Sequence, residues 1–446
     1  MFDGKFMVRP SRRAPRALLR LRTDSIAIAK IPHAEEAPKA PSRSTHGVRA
    51  AVCALLLAVL VAVQPARAEK KYGPGVTDTS IKIGQTQPYS GFGSAYSTIG
   101  KASAAYFTMI NDHGGINGRK IDFLSWDDGF NPAKTVEQTR KLVEQENVLA
   151  IFDSVGTPTS LAVQKYLNQK GIPQIFVGSG ATRWADPAHF PWTIGWQPAY
   201  RTEGRVYGHY ILEAKPNGKI GALYQDDDYG HDYLNGIRDI LGAKADKMFV
   251  GLQTYAPTDP TIDSQMVFLQ ASGADILVDI SQPKFTAMAI RKAWDLGWHP
   301  LHIVNSVSTS IDQVLRPAGF EKAKGLIAAI YQKDPTDPAW KNDAGLADYL
   351  AFMKKYDPAG KPEDGLSVYG YAVAQTLVAV LKQCGDDLSR ANVMKQATNL
   401  HIQLPMLLPG VKIETSPSDY RVIKDMQLGR FNGTMWQRFG GIVSGG

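Results

Sequence analysis

Cysteine is almost missing from this sequence: Cys53 and Cys384 are the two among 446 residues. Cys53 sits in an N-terminal apolar run that should not persist in the mature chain, so one thiol is left. That excludes an intramolecular disulfide and a cysteine metal cluster. Catalytic signatures are missing too: there is no Walker A loop, no H-E-x-x-H and no G-x-S-x-G. The nine histidines are scattered, and neither a metal nor a cofactor is expected. Gly91-Phe-Gly93-Ser-Ala-Tyr96 copies part of a dinucleotide fingerprint, yet Tyr96 stands where a small residue must let helix and strand approach. Asp226-Asp227-Asp228 reads as a solvated loop of helix-capping acids rather than a cation site. No Ser/His/Asp set stands out at strand ends, so the chain is not expected to be an enzyme.

Charge of one sign is also lacking once it is located. Residues 1–68 carry 12 Lys and Arg against four Asp and Glu, which is the whole net +8; the remainder carries 38 of each sign. The neutral part gives nucleic-acid binding no support. Ala50–Val63 is an unbroken apolar run of 14 residues behind Arg49, followed by Ala66-Arg67-Ala68. A hydrocarbon layer of ~30 Å takes about 20 residues to cross. The run is therefore too short for an anchor and suits a signal sequence cleaved near Ala68, with the mature chain in the periplasm. Cys53 opens the run instead of following it, which argues against lipoprotein processing, and Arg12-Arg13 lies too far upstream for twin-arginine export. Residues 1–47, without apolar periodicity, are expected to precede the true start near Val48.

What is present is alternation. From Ser80 the pattern predicts a strand at 81–86, a helix at 98–111, and strands at 120–126, 148–152 and 174–177 with helices at 132–144 and 159–168 between them. After the Pro/Trp/Gly-rich passage 190–198 a second series follows. It has helices at 202–212, 233–241, 264–271 and 284–296, and strands at 219–224, 248–253, 275–280, 301–304 and 326–330. Two long helices, 339–355 and 366–381, then come without a strand between them, and strands return at 411–415, 420–427 and 434–438. Two α/β units of parallel sheet flanking a cleft are expected, with ligands beyond the C-terminal strand ends.

The informative loop is Gly156-Thr157-Pro158-Thr159-Ser160. Thr157 suits an N-cap and Pro158 the first helical position. Free N–H groups and hydroxyls there make a carboxylate or phosphate site. Ser90-Gly91 and Gly178-Ser179-Gly180-Ala181-Thr182 open at the same predicted sheet edge. Aromatic side chains gather in the cleft loops: Tyr89, Tyr96, Trp184, Trp196, Tyr200, Tyr229 and Phe285. They suit an apolar ligand body, with Trp196 better read as hinge packing.

Ile81-Lys-Ile-Gly with Tyr89-Ser-Gly, Gly114-Gly-Ile-Asn-Gly-Arg119, Ile172-Pro, Gly180-Ala-Thr182 and Asp228-Tyr-Gly230 resemble the periplasmic solute-binding proteins of ABC importers. The match is to the leucine/isoleucine/valine-binding group and covers nearly the whole mature chain. The resemblance implies a type I periplasmic binding protein: α/β, two Rossmann-like lobes with parallel sheets, joined by a three-strand hinge. It implies residues 69–197 with 331–405 in lobe 1 and 198–330 with 406–446 in lobe 2. By the same resemblance Thr157 holds a ligand carboxylate and Gly180 and Thr182, flanking Ala181, hold an amino group. Tyr96 and Tyr229 close over the ligand, and Ser90 joins from the first loop.

One departure matters. Amino-acid binders of the family pair the ligand ammonium with an acid from the second lobe. That position falls in Ser281-Gln-Pro-Lys-Phe-Thr286, best at Phe285, and no acid is there. A buried ammonium without a counter-charge costs several kcal/mol. The expected ligand is thus a small carboxylate with an apolar or aromatic body, delivered to an inner-membrane ABC permease by a monomer. The alternatives are a binder of branched-chain or other hydrophobic amino acids and a soluble sensor of the same fold.

Overall fold

Two stretches of the chain alternate strand and helix, and each builds its own sheet. The computed structural model describes residues 70–445; the signal segment, Cys53, Arg12-Arg13 and the cleavage point near Ala68 lie outside the described residues. The first stretch runs β1 (Ser80–Gln87), α1 (Ser97–Asp112), β2 (Lys120–Asp127), α2 (Pro132–Glu144), β3 (Ala150–Phe152), α3 (Thr157–Gln169), β4 (Gln174–Val177) and β5 (Thr193–Gly195). Its five strands lie in the order β2-β1-β3-β4-β5, all parallel. Every residue of β3, β4 and β5 is buried, as strands covered on both faces must be.

The second stretch runs α4 (Tyr200–Ala214), β6 (Ile220–Gln225), α5 (Asp228–Leu241), β7 (Phe249–Tyr255), α6 (Asp263–Ala271), β8 (Ile276–Ile280), α7 (Pro283–Asp295), β9 (Leu301–Val304) and β10 (Ile327–Ile330). Three helices follow, α8 (Ala344–Tyr356), α9 (Gly365–Cys384) and α10 (Arg390–Ala397), and then β11 (Asp425–Phe431) and β12 (Trp436–Ser444). The seven-stranded order is β12-β11-β10-β9-β8-β6-β7. Five of these strands are parallel; β11 and β12 add on antiparallel.

The strandless helices return to the first sheet. Gly370 of α9 packs so close to α1 that a Cβ on it would lie 2.4 Å from the Ile99 carbonyl oxygen. Ser103 Oγ donates to the Gly370 carbonyl at 3.0 Å, and Tyr106 meets Tyr371 edge-on at 5.1 Å. The return is longer than expected. Ile413–Glu414 pairs with His401–Ile402, and the Glu414 N–H reaches the Val422 carbonyl. The chain past residue 405 therefore stays with these helices until it enters the second sheet at Asp425.

Between the sheets lies a buried seam. Trp196 is fully buried, donates from Nε1 to Thr376 Oγ1 at 2.8 Å and meets the rings of Tyr369 and Tyr331. Tyr331–Lys333 runs antiparallel to Met406–Leu408, with Lys333 N–H on the Met406 carbonyl and Leu408 N–H on the Tyr331 carbonyl. Among the described residues no helix is long and apolar enough to cross a membrane.

Besides several turns of helix and two-residue strands, two of the labelled elements escaped the sequence pattern. Strand β5 lies inside the passage read as irregular, since three residues cannot display a period of two. Helix α10 spans eight residues with three buried, capped by Ser389 Oγ.

Candidate functional site

The C-terminal ends of the parallel strands open onto one cleft, whose empty space, counted out into open solvent, is about 710 Å³. From the first sheet it is lined by Tyr96, Ile99, Phe130, Val155, Gly156, Thr157, Pro158 and Gly178. The second sheet supplies Gln225, Tyr229, Gln282, Ser306, Val307, Thr309 and Ser310, and the seam supplies Gln197, Tyr200, Tyr331, Gln332, Leu366 and Tyr369. No Asp, Glu, Lys, Arg or His is in that wall. Among the described residues no three His, Cys, Asp or Glu side chains gather as a metal would need.

Helix α3 aims its start at the cleft, but not as predicted. Gly156, not Thr157, is the N-cap, and Thr157 takes the first helical position. Gly156 adopts φ +108°, and a Cβ there would lie 2.7 Å from the Phe130 ring, so glycine alone fits. Freed from capping, Thr157 Oγ1 bonds Ser179 Oγ at 2.7 Å. Ser179 Oγ also accepts from Trp184 Nε1 at 2.9 Å and from Ala181 N–H at 3.3 Å. Ser179 Oγ thus already accepts two N–H groups, so its own hydrogen has Thr157 Oγ1 and the Tyr200 hydroxyl as acceptors, and donation to Thr157 frees the Thr157 hydroxyl hydrogen for a ligand.

Beneath this floor Asp153 holds φ +47° and Phe176 φ +58°. A Cβ on Gly178 would lie 3.0 Å from Asp153 Oδ1. Burial pushes the Asp153 carboxyl well above its usual range, against a weaker lowering by the Tyr369 hydroxyl. Burial likewise pushes Tyr200 up to about 12 and Tyr96, Tyr229, Tyr331 and Tyr369 well above the usual phenol value. These hydroxyls are neutral donors and acceptors at every physiological pH.

Acids stand one layer behind the second-sheet wall. Glu203 accepts from Tyr207 and Tyr233 hydroxyls and from both the N–H and the hydroxyl of Ser306. Asp364, raised to about 6 by burial against the Leu366 N–H and Ser310 hydroxyl bonds, accepts from Ser310 Oγ at 2.9 Å. Asp227 caps α5 and accepts from Gln225 Nε2 at 2.5 Å. Each carboxyl orients a polar wall residue. Three polar wall atoms have no protein partner: the Tyr229 hydroxyl, Gln282 Oε1 and Gln332 Nε2.

The predicted ligand residues divide accordingly. Tyr96, Thr157 and Tyr229 line the cleft. Ser90 does not: it lies in an exposed turn, with its N–H and hydroxyl on Asp127 at 3.0 and 2.7 Å. Gly180, Ala181 and Thr182 also lie off the cleft. The Gly180 carbonyl accepts the Tyr200 N–H, and Gly180 and Ala181 face a smaller hollow beside Val422. The Thr182 N–H binds Asp232 Oδ2 at 2.6 Å, next to an Arg183–Asp228 ion pair at 2.7 Å. That loop ties β4 of the first sheet to α5 of the second. Phe285 is corrected too: it is fully buried, its ring 4.3 Å from Tyr255, and the cleft position of that stretch is Gln282.

Sequence reasoning missed Gln225, Gln282, Ser306 and Tyr331. Each ends or follows within two residues a parallel strand, β6, β8, β9 or β10, so the strand-end rule alone would have marked their loops.

Comparison with known proteins agrees with this geometry. Residues 80–435 match the family described as periplasmic binding protein. Leu/Ile/Val-binding protein homolog 7 of Brucella abortus is 24% identical over 345 residues, 73% of this chain and 82% of that protein. The structure of a branched chain amino acid ABC transporter protein from Thermus thermophilus with bound valine is similar at TM-score 0.74. It is 15% identical, over 83% of this chain and 97% of that one. A fatty acid ABC transporter substrate-binding protein from Thermomonospora curvata is similar at TM-score 0.69 and 21% identity, over 84% and 96%. With residues 80–435 matched, most of its length, this chain belongs to the periplasmic binding proteins, a family that binds rather than catalyses.

Proposed function

We propose that the chain is the extracytoplasmic solute-binding component of an ABC importer and clamps a small monocarboxylate with an apolar or aromatic body. The observation that carries this is the uncharged wall: apart from tyrosines, the cleft has no ionisable side chain. An ammonium would enter such a wall without a counter-ion, at a cost of several kcal/mol. A carboxylate meets the start of α3 and the free Thr157 hydroxyl, where partial positive charge is built in. Ile99, Phe130, Val155 and Leu366 give the body an apolar bed. The absence of an acid rests on Gln282 rather than Phe285. The fold does not choose the ligand, since similar proteins are named for valine and for fatty acid.

In this reading residues 1–68 are removed and the periplasmic monomer works with an inner-membrane permease. The expected lobes are 69–197 with 331–405 and 198–330 with 406–446; the stretch from 406 to 424 packs with the first of them. Leucine and 4-methylpentanoate differ only in the ammonium group, so titrating both by calorimetry tests the reading, with benzoate and valine beside them. The carboxylates should bind and the amino acids should not. Tight leucine or valine binding with the carboxylates inert overturns it.

A further inference from the structure

We propose that the cleft recognises a second polar group, a hydroxyl that donates a hydrogen bond to the second-sheet wall, and that Gln282 is the side chain selecting it. The ligand class is then a hydroxylated monocarboxylic acid; this rests on the carboxylate reading and deepens it.

The direction of the Gln225, Gln282, Ser306 and Ser310 hydrogen bonds follows from three acids, half-buried Asp227 and buried Glu203 and Asp364. Asp227 Oδ1 accepts the Tyr229 and Gly230 N–H groups, and its Oδ2 faces Gln225 Nε2 at 2.5 Å. A carboxylate there fixes the Gln225 amide with its nitrogen toward Asp227 and its oxygen away. That oxygen accepts from Gln282 Nε2 at 2.6 Å and from the Tyr255 hydroxyl at 3.3 Å. The Gln282 amide is fixed in turn, because a flip would set two carbonyl oxygens against each other. Its Oε1 is left at the cleft wall with no protein partner, on a residue 5% exposed.

Ser306 repeats the pattern. Its hydroxyl hydrogen goes to Glu203 Oε2 at 2.6 Å and its N–H to Oε1 at 2.7 Å, so lone pairs alone remain for a ligand. Ser310 Oγ donates to Asp364 and accepts from Gln313 N–H. Gln282, Ser306 and Ser310 thus offer acceptors, beside the unpartnered Tyr229 hydroxyl, which can take either role, and Thr157 across the cleft offers a hydroxyl. A ligand that accepts at one end and donates at the other satisfies both walls. Gln225 is a positioning residue in this scheme, acting through Gln282.

Calorimetry with benzoate, 3- and 4-hydroxybenzoate, 4-methoxybenzoate and 4-(aminomethyl)benzoate tests the proposal on the full-length mature chain. A hydroxybenzoate should bind at least tenfold more tightly than benzoate and than the methoxy ether, which keeps the oxygen but loses the donor. In Gln282→Met that ratio should fall toward one, with circular dichroism checking the fold. Equal affinity for hydroxybenzoates, benzoate and the ether overturns the proposal while leaving the carboxylate reading standing. So does a preference that survives in Gln282→Met, or tightest binding of the aminomethyl compound, which would assign the acceptors to a cation. Silence from every carboxylate, with leucine bound, removes both readings.

Discussion

The two walls of the cleft are built by different means. The first-sheet wall is backbone: a helix start held by Gly156 at φ +108°, above Asp153 and Phe176 in left-handed conformations. The second-sheet wall is side chain: amides and hydroxyls turned by Asp227, Glu203 and Asp364. Strained backbone fixes a donor that few substitutions can redirect. A side-chain relay is retuned by one replacement. On the proposed reading, the carboxylate and the rest of the ligand meet opposite walls of the cleft.

Breaking the backbone wall should have the largest effect. Gly156→Val brings both backbone strain and a clash with Phe130, and should cost about 3 kcal/mol or more in stability, read by denaturant unfolding. Thr157→Val keeps the shape and deletes the hydroxyl. It should lose about 1.5–3 kcal/mol of carboxylate affinity, a ten- to hundredfold rise in Kd with the unfolding midpoint little changed; unchanged affinity would mean the carboxylate is held elsewhere. Asp232→Ala cuts the Thr182 tie between the sheets and should weaken binding of the same carboxylate by about 0.5–1.5 kcal/mol, mainly through faster dissociation in stopped flow.

The smallest effects sharpen the contrast through pH. Hydrogen bonds from Arg201, and then Arg205, hold Asp239 down at about 2, below its unfolded value. Its stabilisation is present above the unfolded carboxylate range and is lost as pH falls through about 2. Asp364, raised to about 6 by burial, works with the opposite sign: its protonated form favours the fold, and stability declines as pH climbs from about 4 to 6. Asp364→Asn should flatten that decline and Arg201→Met the acid limb, both read from Tm against pH.

The order of elements was legible because parallel strands and amphipathic helices carry their periods openly; Pro132–Glu144, Gln174–Val177 and Leu301–Val304 match to the residue. The α3 start was legible as a ligand-facing feature through Gly156-Thr-Pro, although its cap was misplaced by one residue. The second-sheet wall was not. Gln225 and Gln282 carry no motif, and what orients them at the cleft is a chain of hydrogen bonds from Asp227, which only three dimensions reveal. Phe285 was misread because a helix entry three residues long cannot show by sequence which side chain turns inward. The Gly180–Thr182 loop has the right composition for a ligand, but its N–H is taken by an acid 50 residues away.

The close contact of Gly370 with Ile99 has a consequence for the order in which the molecule forms. The first sheet is complete in sequence by Gly195, yet α9 covers it from 267 residues downstream of Ser103. A nascent chain therefore has no finished hydrophobic core for its opening half until nearly the whole polypeptide exists. Such long-range closure is slow. A chain handed to a secretion channel during synthesis would still be threadable, and a fragment ending at Ile330 should expose the α9-facing side of α1 and aggregate.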